Sequence, residues 1–182
     1  MTQHYFIGIQ VPGKEASQLN QMKNSMELDQ THKISVSPED MHITLLFLGG
    51  MEKSLLAKLI KQLEQLAPQN KSFKVTSNSV QVFGKPTQPR VVYANIEDNY
   101  LLNELQKELS DCVGSLGISR DGKSYIPHIT LAKKWRNTEE MRPILTLETP
   151  ITFDVTHFYI YEIHPTKSPK YKPIAYFQLG DT

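Results

Sequence analysis

The sequence predicts an α+β fold in which helices and antiparallel strands mix without the regular alternation of a doubly wound sheet. Two observations carry this prediction. Segments with apolar residues at three- and four-residue spacing are interleaved irregularly with short segments that alternate apolar and polar residues. In addition, the tetrapeptide His-Ile-Thr-Leu occurs twice, at residues 42–45 and 128–131, each time downstream of a helical stretch. Given one copy, composition alone would supply a second with a probability on the order of a few in a thousand, so the repeat is signal. It suggests two similar halves.

At 182 residues the chain fits one domain or two small lobes packed together. Its apolar and charged fractions, 39% and 21%, are those of a soluble globular protein, and no apolar run reaches the length of a membrane span. The first residues lack a basic region followed by a long apolar stretch, so no secretory signal is expected and the cytoplasm is the expected compartment. Cys112 is the single cysteine, which excludes an internal disulfide and leaves too few thiols for a zinc cage. A formal net charge of +1 argues against a basic nucleic-acid surface over the whole protein, so an anionic ligand requires a local cluster.

In order, His4–Val11 reads as a strand ended by Pro12-Gly13. Ala16, Leu19, Met22 and Met26 predict an amphipathic helix over 15–28. Ile34–Val36 is a short extended piece, and Ser37–Asp40 a turn feeding a strand from His42 to Leu48 that stops at Gly49-Gly50. A helix over 53–67 carries Leu55, Leu56, Leu59, Ile60, Leu63 and Leu66 on one face, with Pro68 as its stop. Strands follow over 73–83 and 90–96, separated by a loop at 84–89 near the middle of the molecule. Leu101, Leu102, Leu105, Leu109, Cys112 and Val113 predict a helix over 99–116. A polar loop at 119–124 and an extended approach through Pro127 lead to the second motif. A short helix over 138–145 and two final strands, over 151–163 and 173–179, complete the chain.

In a strand, alternate side chains share a face, so each motif sets a His and a Thr on one side and Ile and Leu on the other. For either copy alone, a half-buried strand is the ordinary explanation. Duplication instead suggests two imidazoles and two hydroxyls delivered to one site. One neutral imidazole takes a proton from water while a protonated one gives a proton to a departing oxygen, and the hydroxyls donate to anionic oxygens. This combination suits phosphodiester cleavage. Two His with threonines leave a metal coordination sphere incomplete, so no metal and no cofactor are expected. No glycine-rich phosphate loop is present.

The segments Pro38–Gly49 and Tyr125–Lys133, together with Tyr5–Ile9, Pro89–Tyr93 and Pro169–Tyr171, closely resemble the two-histidine (2H) phosphoesterase superfamily. Within it, they resemble the LigT-like bacterial RNA 2',3'-cyclic phosphodiesterases. The resemblance spans almost the whole chain. It implies a single bilobal domain over 1–182, with pseudo-twofold lobes meeting near 84–90, strand exchange between them allowed, and a central active-site groove. It also implies metal-independent opening of a 2',3'-cyclic phosphate to a 2'-phosphomonoester and, since members of the family also join or reverse 2',5' linkages, weak 2',5' RNA ligase activity. By position, His42 is the general acid for the leaving 3'-oxygen, His128 the general base for water, and Thr44 and Thr130 hold the non-bridging oxygens. The implied partners are RNA ends or small cyclic-phosphate nucleotides, and nothing demands more than a monomer. The alternative is a non-catalytic RNA- or nucleotide-binding module of the same fold.

One departure concerns Lys133, where many members of this family carry Arg: lysine keeps the charge but loses the bidentate fork. Lys133 is either a phosphate clamp or a solvated surface residue, and Trp135 either stacks on a base or packs. Strand parity puts Phe47 with Ile43 and Leu45, in the core unless a bulge intervenes. His4, His32, His157 and His164 are read as structural or exposed. Arg120, Lys123, Lys167, Lys170 and Lys172 lie in loops that either reach over RNA phosphates or are simply solvated.

Overall fold

The computed structural model describes residues 3–119, 122, 124–137, 140 and 146–181. The chain runs β1 (His4–Gln10), α1 (Gly13–Ser25), α2 (Leu28–Thr31), β2 (His32–Ser35), β3 (His42–Gly50), α3 (Lys53–Leu66), β4 (Phe73–Lys85), β5 (Gln88–Asn95), α4 (Tyr100–Ser115), β6 (His128–Trp135), β7 (Thr146–Val155), β8 (His157–Ile163) and β9 (Tyr171–Gln178). Among the described residues, nine strands form a sheet ordered β7-β4-β5-β6-β3-β1-β8-β9, with β2 beside β6. All the pairings between these strands are antiparallel. The α+β prediction is met, and the two motif strands, β3 and β6, are central neighbours.

The helices cover the face on which the motif Ile and Leu residues point. Leu59 and Leu63 of α3 and Leu102, Leu105, Leu109 and Val113 of α4 are fully buried at helical spacing, in one core with Ile43, Leu45, Ile129 and Leu131. Burial of each such side chain contributes about 1.5–3 kcal/mol. Asn99 caps α4 by accepting the Leu102 N–H at 3.0 Å. On α1 the buried stripe includes Lys23, whose ammonium donates to the Val36 carbonyl at 2.6 Å and so ties the helix to the segment after β2.

Three sequence expectations are corrected. The expected loop at 84–89 is mostly strand: Gly84 pairs with Pro89 and Lys85 with Gln88, so the connection is a hairpin turned at Pro86-Thr87. Gly84 permits this with a φ of 97°, in the left-handed region. The single strand expected over 151–163 is two, broken at Thr156, because β7 pairs with β4 at one end of the sheet while β8 pairs with β1 toward the other. The helix expected over 15–28 stops at Ser25, and Glu27, at a φ of 51°, turns the chain into α2. The helix expected over 138–145 lies outside the described residues, apart from Glu140.

Candidate active site

β3 and β6 meet in antiparallel register with Ile43 opposite Ile129. Counting outward, His42 lies across from Thr130, and Thr44 from His128. Each imidazole is therefore next to the other copy's hydroxyl, all four on the face away from the helices, where opposed Cβ atoms are about 5 Å apart.

Both imidazoles are oriented in the same way. His42 Nδ1 is 2.7 Å from the carbonyl oxygen of Asp40, and His128 Nδ1 is 2.7 Å from that of Ile126, in each case two residues back. A carbonyl only accepts, so Nδ1 carries the hydrogen in both rings and Nε2 is left for chemistry. Thr44 Oγ1 donates to His42 Nε2 at 3.0 Å. The rings are also held by aromatics: Phe6 at 4.7 Å and Tyr171, edge-on at 4.9 Å, around His42; Phe83, edge-on at 5.1 Å, and Tyr93 at 5.1 Å around His128. Phe6 and Tyr93 are buried yet stand outside the helix-covered core, so they form the floor of the groove.

A cavity of about 280 Å³ opens above this floor, lined among others by His42, Thr44, Phe47, Thr130, Lys133 and Tyr171. Burial, opposed by the Asp40 carbonyl and the Asp40 charge and reinforced by Lys133 and His128, pushes His42 down to about 4. His128 is also lowered, by burial first and then Lys133, against its bond to Ile126. Both rings are consequently neutral near pH 7 in the free protein. Burial and the neighbouring Lys170 and Lys134 lower Lys133 in turn, a local cationic cluster on a chain of almost no net charge.

Sequence reasoning missed Asp40. Its carboxylate is buried, 6% exposed, and accepts the N–H groups of Lys170 (2.9 Å) and Tyr171 (3.2 Å) and the hydroxyl of Ser37 (3.2 Å). It thereby fastens the loop before β9 to the first motif and sets Tyr171 against His42. A second cavity of about 160 Å³, lined by Ser37, Asp40, Lys133, Ser168 and Lys170 among others, lies beside this fastening. Its sequence signal, Ser-x-x-Asp across Pro38, marks the turn but not its distant partners.

Of the expected site residues, His42, Thr44, Thr130 and Lys133 line one cavity, and His128 joins them through the strand register. Phe47 is corrected. It is 53% exposed and lines the cavity, because β3 slips against β1 at Leu45 and Leu48, reversing the parity between them. Trp135 packs edge-on against the buried ring of His32 at 5.2 Å, where β6 pairs with β2. His32 is held by Thr31 Oγ1 and the Pro89 carbonyl, as a structural residue. Arg120 and Lys123 lie outside the described residues. Among the described residues, no group of three or more His, Cys, Asp and Glu side chains is placed to hold a metal ion.

The sequence matches the 2'-5' RNA ligase superfamily over residues 12–167. It is 33% identical to the RNA 2',3'-cyclic phosphodiesterase of Bacillus subtilis, over 97% of both chains. It is 29% identical to that of Geobacillus stearothermophilus over 97% of this chain, which spans only 57% of that relative's length. Among solved structures, E. coli LigT complexed with 3'-AMP superposes with a TM-score of 0.84 at 19% identity, covering 98% of this chain and 99% of that one. A phosphoesterase superposes with a TM-score of 0.85 at 19% identity over 99% of both. At such identities these two structures speak for the fold.

Proposed function

Because this chain belongs to the 2'-5' RNA ligase superfamily, we propose that it hydrolyses the 2',3'-cyclic phosphate at RNA ends to a 2'-phosphomonoester, by general acid–base catalysis divided between His42 and His128. The observation that carries this reading is the paired geometry: two imidazoles on facing strands, each with Nδ1 committed to a carbonyl and Nε2 left for chemistry, each opposite a threonine.

In the step itself, His128 Nε2 removes a proton from water as its oxygen bonds to phosphorus. The bond from phosphorus to O3' breaks, and His42 Nε2 gives its proton to that oxygen. The two rings exchange protonation states, and solvent resets them. His42 must first be protonated, and the bound substrate promotes this. Its anionic phosphate occupies the cavity beside Nε2 and opposes the burial and the Lys133 charge that together hold the ring neutral. Protonation also frees the Thr44 hydroxyl hydrogen from Nε2, so that it turns to a non-bridging oxygen, with Thr130 serving another. Lys133 supplies the balancing charge as a single point rather than a fork. With a 5'-hydroxyl in place of water, the same steps join it to phosphorus as O3' leaves, which gives weak 2',5' ligation.

The deeper depression of His42 favours a second arrangement, in which His42 takes the water proton and His128 gives one to the leaving oxygen.

The test is incubation with 2',3'-cyclic-phosphate-terminated RNA in EDTA, with the product isomer identified. A 2'-phosphate formed by the wild type, and lost in both His42→Ala and His128→Ala with the fold intact, is expected. Salt-sensitive binding of the RNA without any product would instead identify a binding module. A 3'-phosphate would reverse the leaving group.

A further inference from the structure

The groove face of the sheet does not end at the histidines. From β3 the register continues across β1 to β8 and β9: Thr44 pairs with Gly8, Gly8 with Tyr159, and Tyr159 with Tyr176. One row over, His42 pairs with Gln10, and His157, two residues before Tyr159 on β8, pairs with Gln178. With strands about 4.8 Å apart, Tyr159 lies about 10 Å and Tyr176 about 14 Å from Thr44, on the same face. Gly8 has no side chain between them, and the Phe6 ring lies close over it: a Cβ there would come within 3.0 Å of that ring. The floor between the catalytic pair and the distal tyrosines is therefore aromatic: Phe6 stacks on Tyr161 at 4.8 Å, and Tyr161 lies 5.5 Å from Tyr159.

At the far end, three rings form a cluster. His157 and Tyr176 lie at 4.9 Å, His157 and Tyr159 edge-on at 5.1 Å, and Tyr159 and Tyr176 at 5.6 Å. Tyr176 is 52% exposed, which is unusual for a ring with other rings to bury against. The cluster is held rigid by its polar tips: the Tyr176 hydroxyl donates to Gln178 Oε1, the Gln178 amide to the Thr156 carbonyl at 3.0 Å, and Thr156 Oγ1 meets His157 Nδ1 at 2.9 Å. One exposed and two half-buried rings fixed in place, in register with a phosphate site, suit flat aromatic ligands on a sugar–phosphate strand.

We propose that His157, Tyr159 and Tyr176 are a base-stacking platform for the single-stranded RNA whose end carries the cyclic phosphate. This rests on the RNA-end reading above and adds to it a preference for polynucleotide ends over mononucleotides. The strand leaves the cavity over the Phe6 ring, and nucleotides back from the reacting one stack on the cluster. Because the rings are uncharged, they add affinity without counterion release, unlike Lys133.

The test compares wild type, Tyr176→Ala, Tyr176→Phe and a Tyr176→Ala/His157→Ala double variant. Two probes that cannot turn over, a hexaribonucleotide ending in a 2'-phosphate and a nucleoside 2'-monophosphate, are titrated by fluorescence anisotropy and calorimetry. KM is measured on their cyclic-phosphate forms. Tyr176→Ala is expected to weaken hexamer binding and raise its KM by about tenfold or more, leave the mononucleotide unchanged, and keep the same ratio to wild type from low to moderate salt. Tyr176→Phe retains binding. Equal losses for both probes, no loss even in the double variant, or a wild-type dimer that Tyr176→Ala dissolves while hexamer affinity is unchanged would each overturn the platform. If the wild type hydrolyses neither cyclic form, the catalytic reading fails, while the hexamer titration still decides the platform.

Discussion

Asp40 holds His42 with its backbone and the loop before β9 with its side chain: its carbonyl accepts the Nδ1 hydrogen at 2.7 Å, and its buried carboxylate accepts the N–H groups of Lys170 and Tyr171. The two functions separate by substitution. Asp40→Asn keeps the carbonyl but presents an amide where a carboxylate met two backbone donors and a hydroxyl. It is expected to cost about 1–3 kcal/mol of stability, read by urea unfolding. Hydrogen exchange at the amides of residues 170 and 171 should accelerate, whereas the His42 tautomer is kept because the backbone sets it, and loss of the Asp40 charge moves the His42 titration lower. An altered tautomer, seen by nitrogen NMR of the ring, would contradict this division.

Lys133 lowers both histidines. Lys133→Gln removes that repulsion, so both rings are expected to titrate at higher pH, followed as His Hε1 resonances, while KM for the cyclic phosphate rises about tenfold. Lys133→Arg retains the lowering. Unmoved titrations in Lys133→Gln would show that the ammonium does not face the site.

The half-buried His42 also ties stability to pH. His42 is lowered from 6.5 to about 4 by burial, so between those values the unfolded chain binds a proton that the folded chain refuses. Stability is therefore complete above about pH 6.5 and lost as pH falls toward 4, by up to about 3 kcal/mol from this residue. His42→Gln should flatten that acid loss in urea unfolding measured from pH 7 to 4.5. An equally steep loss in the variant would place its origin elsewhere.

The parts of the fold governed by local spacing were legible in the chain. The helical stripes, the motif strands and the common face of His and Thr follow from periods of 3.6 and 2, and the structure places them where the spacing does. The break at Thr156 was legible too, since Ile151, Phe153 and Val155 are buried at odd positions and Phe158 and Ile160 at even ones. What escaped depends on chain neighbours far apart in sequence. Asp40 matters because of residues 170 and 171, and Phe47 because β1 forces a slip in β3, and neither relation leaves a local pattern.

That slip gives a direct contrast between two apolar residues four positions apart on β3. Ile43 is fully buried beneath the site, while Phe47 is 53% exposed at the cavity. Ile43→Ala is expected to cost about 2–5 kcal/mol, through lost transfer energy and the void left under both motifs. Phe47→Ala should change stability by no more than about 0.5 kcal/mol and act instead on KM. Comparable destabilisation by the two would return Phe47 to the core.

The division of labour between His42 and His128 is decided by the leaving group. A general acid matters in proportion to how poorly the departing oxygen carries negative charge, so a nucleoside p-nitrophenyl phosphodiester, whose phenolate leaves unaided, needs the base but hardly the acid. If His42 is the acid, His42→Ala should lose about 10²–10⁴-fold on the cyclic phosphate but far less on the p-nitrophenyl ester, while His128→Ala loses heavily on both. The depressed His42 makes the opposite result chemically reasonable, and the two outcomes are mirror images. The pH dependence adds a separate check. With both rings lowered in the free protein, kcat/KM is expected to peak on the acid side of neutrality. The kcat profile is expected at higher pH, because a bound phosphate would raise the ring that must hold the proton.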